Sequence, residues 1–133
     1  MELRTQILTA AQWDKEVDYL VCLLQDKSKQ ELAVSYGWGC DLDMDDLYQE
    51  VFLPLSGLRE WITEAALSGV FTLGEGTLHL RSQDKEIEVE LCHESDIHLT
   101  TGNQRFVREV TSGWTARGIT YYEITPLPCE TIL

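Results

Sequence analysis

A chain of 133 residues has the length of one domain and can bury about two-thirds of its unfolded surface, so its core needs no staples. Hydrophobic residues at 44%, with four tryptophans, exclude a disordered tail, and no apolar run approaches the roughly 18 residues of a membrane span. A net charge of −13 argues against direct binding of nucleic acid or an anionic membrane, and favours a basic partner.

The start, MELRTQILTAAQW, lacks an apolar core with a cleavage site, and a cytoplasmic location is expected. Leu3–Leu8 is a strand candidate. Thr9-Ala-Ala-Gln12 reads as a capping box, and Trp13, Val17, Leu20, Val21 and Leu24 follow at helical spacing, predicting a helix to about Lys27. Glu31–Tyr36 is a strand, while Tyr48–Leu53 fits strand or helix. Ser56 is the expected cap of a helix carrying Leu58, Trp61, Ile62 and Ala65 on one face, with Gly69 just past its end. Val70–Leu73 and Thr77–Arg81 read as a hairpin turning at Gly74-Glu-Gly76. Lys85–Leu91 alternates cleanly after a turn at Gln83-Asp84, and Ile97–Thr100 follows. Thr101-Gly-Asn-Gln104 reads as a second capping box before Phe106, Val107, Val110 and Trp114, with Gly113 weakening the last turn. Ile119–Ile124 is a last strand.

Strands between 70 and 100 follow one another too closely for parallel crossovers. The predicted fold is therefore α+β: one domain over 1–133, a largely antiparallel sheet, and about three helices packed on one face. In the strand Lys85–Leu91, Ile87, Val89 and Leu91 should face the helices, and Glu86, Glu88 and Glu90 should form an outward row spaced ~6.7 Å apart.

Charge is unevenly placed. Residues 41–98 hold 14 acids against only Arg59, Arg81 and Lys85, a net −11, whereas 1–40 carry −2 and 99–133 carry 0. A fixed array of carboxylates attracts and steers a cationic surface. The candidate partner-binding residues are Asp41, Asp43, Asp45 and Asp46, the glutamates Glu86, Glu88 and Glu90, and Tyr36 and Trp38 as aromatic anchors.

Chemistry finds less support. Asp41–Asp46 is not an EF-hand loop, because the sixth and twelfth positions, which want Gly and Glu, are Asp46 and Phe52. Cys92-His93-Glu94-Ser95-Asp96-Ile97-His98 holds metal-ligand types, but on a continuing strand Cys92 and His93 point to opposite faces, and no recognised zinc spacing is present. Ser95 has no activating context, and neither Gly37-Trp-Gly39 nor Gly74-Glu-Gly76 can cradle a phosphate. Cys22, Cys40, Cys92 and Cys129 are scattered and read as reduced thiols. Neither enzymatic activity, nor metal, nor cofactor is expected.

The tract LCHESDIHLTT (91–101), leading into Phe106-Val107 and then Trp114 and Gly118-Ile119, resembles small bacterial immunity proteins, which guard cells against polymorphic or contact-dependent toxins. The resemblance covers the C-terminal third. It implies a cytoplasmic, acidic α+β protein that binds one toxin domain, often a basic nuclease, and it transfers no residue roles. Two readings compete with this one. One is a small metal-dependent enzyme built on Cys92, His93, Asp96 and His98, and the other is an adaptor whose acidity serves solubility.

Overall fold

Helix α1 (Ala10–Asp26) starts at the predicted box: the Thr9 hydroxyl accepts from the Gln12 N–H at 3.1 Å, and the Gln12 side chain accepts from the Thr9 N–H at 2.9 Å. This is seen in a computed structural model that describes residues 1–27 and 29–124; Cys129 lies outside the described residues. Trp13, Val17, Leu20 and Leu24 form its buried stripe.

The other two helices begin elsewhere than predicted. Leu55–Gly57 forms a single 3-10 turn running straight into α2 (Leu58–Leu67). Ser56 therefore sits within helical backbone and caps nothing, and the cap position falls to Gly57. Gly69, with φ +82, closes this helix as expected. For α3 (Gln104–Ala116) the cap is Asn103, whose side chain accepts from the Phe106 N–H at 3.0 Å. Thr101 is spent on the preceding strand, where its hydroxyl donates to the Glu86 carbonyl and accepts from the Asn103 N–H. The helix nevertheless runs through Gly113 to Ala116. A Cβ on that glycine would lie 2.9 Å from a guanidinium nitrogen of Arg117, so the glycine leaves room for that side chain to cross the helix.

The strands are β1 (Glu2–Thr5), β2 (Glu31–Tyr36), β3 (Val51–Pro54), β4 (Leu78–Ser82), β5 (Ile87–Leu91), β6 (Ile97–Thr101) and β7 (Tyr121–Ile124). They form one sheet in the order β3-β2-β4-β5-β6-β1-β7, with every neighbouring pair antiparallel. The fold is α+β, as expected. Inward strand residues such as Leu32, Leu80, Val89 and Leu99 share a single core with the buried stripes of all three helices. Among the described residues no helix is long and apolar enough to cross a membrane.

The predicted hairpin over 70–81 does not form. Residues 70–77 are irregular, because their backbone groups pair with the β2–β3 loop. The Asp41 N–H donates to the Val70 carbonyl at 2.9 Å, the Thr77 N–H to the Trp38 carbonyl at 2.8 Å, and the Gly37 N–H to the Thr77 carbonyl at 2.8 Å. Phe71 meanwhile turns inward to stack on Trp13. The two segments touch most closely at Gly39, which has φ +84 and whose Cβ would fall 1.8 Å from the Glu75 carbonyl oxygen. Gly39→Ala should therefore cost on the order of 2–3 kcal/mol, from the left-handed backbone together with the overlap. A lowered urea midpoint with a native-like fold is the expected result; an unchanged midpoint would mean that the loop does not dock on residues 70–77.

Candidate functional site

Cross-strand register sets out the open face of the sheet in rows. One runs Phe52, Ala33, Arg81, Glu88, Thr100, Glu2; the next runs Ser35, His79, Glu90, His98, Arg4, Tyr122. Ile87, Val89 and Leu91 face the core, as the alternation of β5 requires. The three glutamates, however, do not form a row of free charge. Glu86 is bound by Lys29 and by Asn103, and the Lys29 ammonium holds its carboxyl below the usual range. Glu90 accepts from His98 Nδ1 at 3.0 Å, which likewise lowers its carboxyl, and His79 lies 3.4 Å away. Glu88 remains exposed, directly opposite Arg81. Arg81 in turn makes two bonds to Glu50, at 2.6 and 2.8 Å.

Four acids without an ion pair lie close together in the β2–β3 loop. Asp41, Asp43, Asp45 and Asp46 are all exposed, and none of them makes an ion pair among the described residues. Trp38 is 63% exposed and Met44 80% exposed within the same loop, and Val51 and Phe52 are exposed on opposite faces of the edge strand β3. Tyr36, by contrast, stacks on Trp61 against the core and offers no anchor.

A loop this long without regular structure is uncommon in a small domain unless it has a task. This one is pinned. Cys40 is buried, with its thiol against the Thr77 carbonyl at 3.4 Å, and Leu47 packs on the core. Tyr48, at φ +62, is held in a backbone region that a bulky residue rarely adopts. Its N–H donates to the Tyr36 carbonyl at 2.7 Å, its hydroxyl accepts from the Trp38 N–H at 3.1 Å, and its ring leans on His79. The strain is thus spent on fixing the backbone that presents Trp38. Sequence reading passed over Tyr48, Met44 and Phe52 as surface residues; the signal available for two of them was the apolar run Tyr48–Leu53, which fits strand or helix equally.

Comparison with protein-family models, with curated proteins and with solved structures finds no match. Any functional reading therefore rests on the geometry and on the chemistry of the side chains.

A second cluster lies at the same end of the sheet as the loop, joined to it through Thr77, which bonds Gly37 and Trp38 on one side and His93 on the other. Strand β5 ends at Leu91, one residue before Cys92, so the premise of a continuing strand does not hold there. The Cys92 N–H donates to the Asp96 carbonyl at 2.9 Å and the Ser95 N–H to the Cys92 carbonyl at 3.0 Å, closing a three-residue loop with Ser95 at φ +68. Cys92 and Asp96 thereby oppose each other on the same side as Glu90 and His98. The turn also brings His93 Nδ1 to 3.6 Å from Cys92 Sγ and 3.1 Å from the Thr77 hydroxyl. His98 lies between two carboxylates, Glu90 on Nδ1 and Asp96 on Nε2 at 2.9 Å; the Glu90 bond is the larger cause raising its pKa. Burial pushes the Cys92 thiol up to about 11, so it is not an activated nucleophile.

Proposed function

We propose that this protein is a non-catalytic, acidic binding protein that neutralises a basic toxin domain, acting in the cytoplasm in the manner of an immunity protein. The observation that carries this reading is the exposure of Trp38 and Met44 amid four unpaired aspartates on a pinned loop. An aromatic side chain on an already fixed backbone loses less entropy when a partner covers it, and buried aromatic anchors dominate interface energies. Carboxylates around such an anchor draw in a cationic surface and fix its orientation. A nuclease binds its substrate through Lys and Arg, so the same contacts let an acidic loop occupy its nucleic-acid cleft. Glu86 and Glu90 are neutralised within the fold and support the sheet instead. Asp41, Asp43, Asp45, Asp46 and Trp38 carry the interface, with Glu88 at its margin.

The test is association kinetics with the toxin domain encoded beside this gene, at two salt concentrations, alongside survival of cells expressing that toxin. Association should slow steeply as salt rises. Asp45→Lys combined with Asp46→Lys should lower the on-rate about 10-fold while leaving the urea midpoint nearly unchanged, since both side chains are solvated. Trp38→Ala should cost about 2 kcal/mol of affinity, a roughly 30-fold rise in Kd seen mainly in the off-rate, with little change in stability. Unaltered kinetics and unaltered protection in both variants would place the interface elsewhere and leave the acidity as a solubility feature.

A further inference from the structure

We propose that Cys92, Asp96 and His98 form a binding site for one divalent transition-metal ion of the zinc class, with Glu90 as its positioning residue. This site adjoins the loop through Thr77 but takes none of its ligands from it, and it does not depend on the toxin-binding reading. Three observations carry it. The donor atoms of Cys92, Asp96 and His98 all lie within 4.8 Å of one another, although the three residues share no familiar zinc spacing. Tetrahedral ligands 2.0–2.3 Å from an ion sit roughly 3.3–3.8 Å apart, so closure asks for movements of about 1 Å, within reach of side-chain rotation. Asp96 is only 6% exposed, and its Oδ1 is buried without any hydrogen-bond partner, while Oδ2 faces His98. An orphaned carboxylate oxygen inside a cluster of donors is an acceptor waiting for a cation or a water.

The third observation is the support behind the ligands. His98 Nδ1 is held by Glu90 at 3.0 Å, leaving Nε2 as the atom facing Asp96. This carboxylate–imidazole arrangement orients a metal-ligating histidine and makes it a better donor. A thiolate, an imidazole and a carboxylate together suit zinc better than magnesium or calcium, which want oxygen alone. Binding replaces the proton on His98 Nε2 and the proton on the Cys92 thiol with the ion. The thiolate and the Asp96 carboxylate then balance its two positive charges. Three protein ligands leave the fourth position to water, or to His93, whose Nδ1 lies on the same turn.

The experiment is titration of the full-length protein with Co2+, followed by displacement with Zn2+. One equivalent of Co2+ should produce a thiolate-to-cobalt charge-transfer band, and Zn2+ should abolish it and raise the Tm. Cys92→Ser should remove the band, whereas Cys40→Ser should keep it. Asp96→Asn and His98→Ala should lose the Tm shift with Zn2+, and Glu90→Gln should weaken Zn2+ about 10-fold. Circular dichroism of each variant checks folding, and the wild-type titration stands even where a variant fails to fold. Absence of a charge-transfer band in the wild type would overturn the site and leave a water on Asp96 Oδ1. A band that survives Cys92→Ser, or a Zn2+ shift that survives both Asp96→Asn and His98→Ala, would overturn it too, by placing the ion on another thiol or on the aspartate loop.

Discussion

Val89→Asp should abolish folding. Val89 is 3% exposed on β5, inside the sheet, with Leu80 of β4 and Leu99 of β6 as its cross-strand neighbours. A carboxylate there has two leucines beside it and faces a mostly apolar cavity whose one cation, Arg117, is already bound to Glu16. Burying it unpaired costs more than about 4 kcal/mol, a large part of the ~5–15 kcal/mol that holds a domain together. Glu88→Gln, one residue earlier and on the open face, should change stability by no more than about 0.5 kcal/mol. In an outward row of three free glutamates, removing the Glu88 charge would relieve repulsion. With Glu86 bound by Lys29 and Glu90 by His98, little repulsion is left to relieve, and Glu88→Lys would instead bring a cation opposite Arg81. Urea denaturation of the two variants decides the point. Similar losses from Val89→Asp and Glu88→Gln would mean that the faces of β5 are misassigned.

The fold was legible where a signal is local. The Thr9 box, the β2 run and the alternation of β5 each involve residues within one turn or one strand, and all three appear where the sequence places them. The failures share a cause. Residues 70–73 have strand composition, but their backbone partners are set by a loop some 30 residues earlier, docked through Gly39 and Asp41. Thr101 has the chemistry of a helix cap but serves its own strand, which moves the cap to Asn103.

The same distinction runs through the candidate sites. That Trp38 and the aspartates share one surface could be read from their adjacency. That Glu86 is spent on Lys29, and Glu90 on His98, could not, because pairing across strands depends on register and sheet order. Cys92, Asp96 and His98 converge only because residues 93–95 form a tight loop closed by the Cys92–Asp96 pair, with Ser95 in a left-handed conformation. On a continuing strand Cys92 and Asp96 would share a face but lie about 13 Å apart, and Cys92 and His93 would point to opposite faces.

Arg117→Ala should cost about 3–5 kcal/mol, far more than an ion pair between surface residues. Glu16 lies on α1 with its side chain only 3% exposed, and Arg117, just past the end of α3, meets it with two bonds of 2.6 and 2.7 Å. The guanidinium also stacks over the Tyr19 ring at 3.8 Å after crossing the helix at Gly113. One side chain thus fastens the first helix to the last across 101 residues of chain. Removing Arg117 strands a buried carboxylate that has no other ion-pair partner among the described residues, which is the expensive way to break such a pair. Glu16→Ala should cost less, nearer 2 kcal/mol, because the Arg117 side chain is a quarter exposed and can turn its charge to water while keeping its stack on Tyr19. Arg117→Lys should recover only part of the loss, since an ammonium cannot make the two-pronged contact or the stack equally well. Replacing both residues together with apolar ones should restore most of the stability, because the desolvation penalty then disappears along with the attraction. Urea denaturation of the four variants provides the measurement. If Arg117→Ala costs 1 kcal/mol or less, the pair behaves as a solvated surface bridge and the helices are held by their apolar contacts alone.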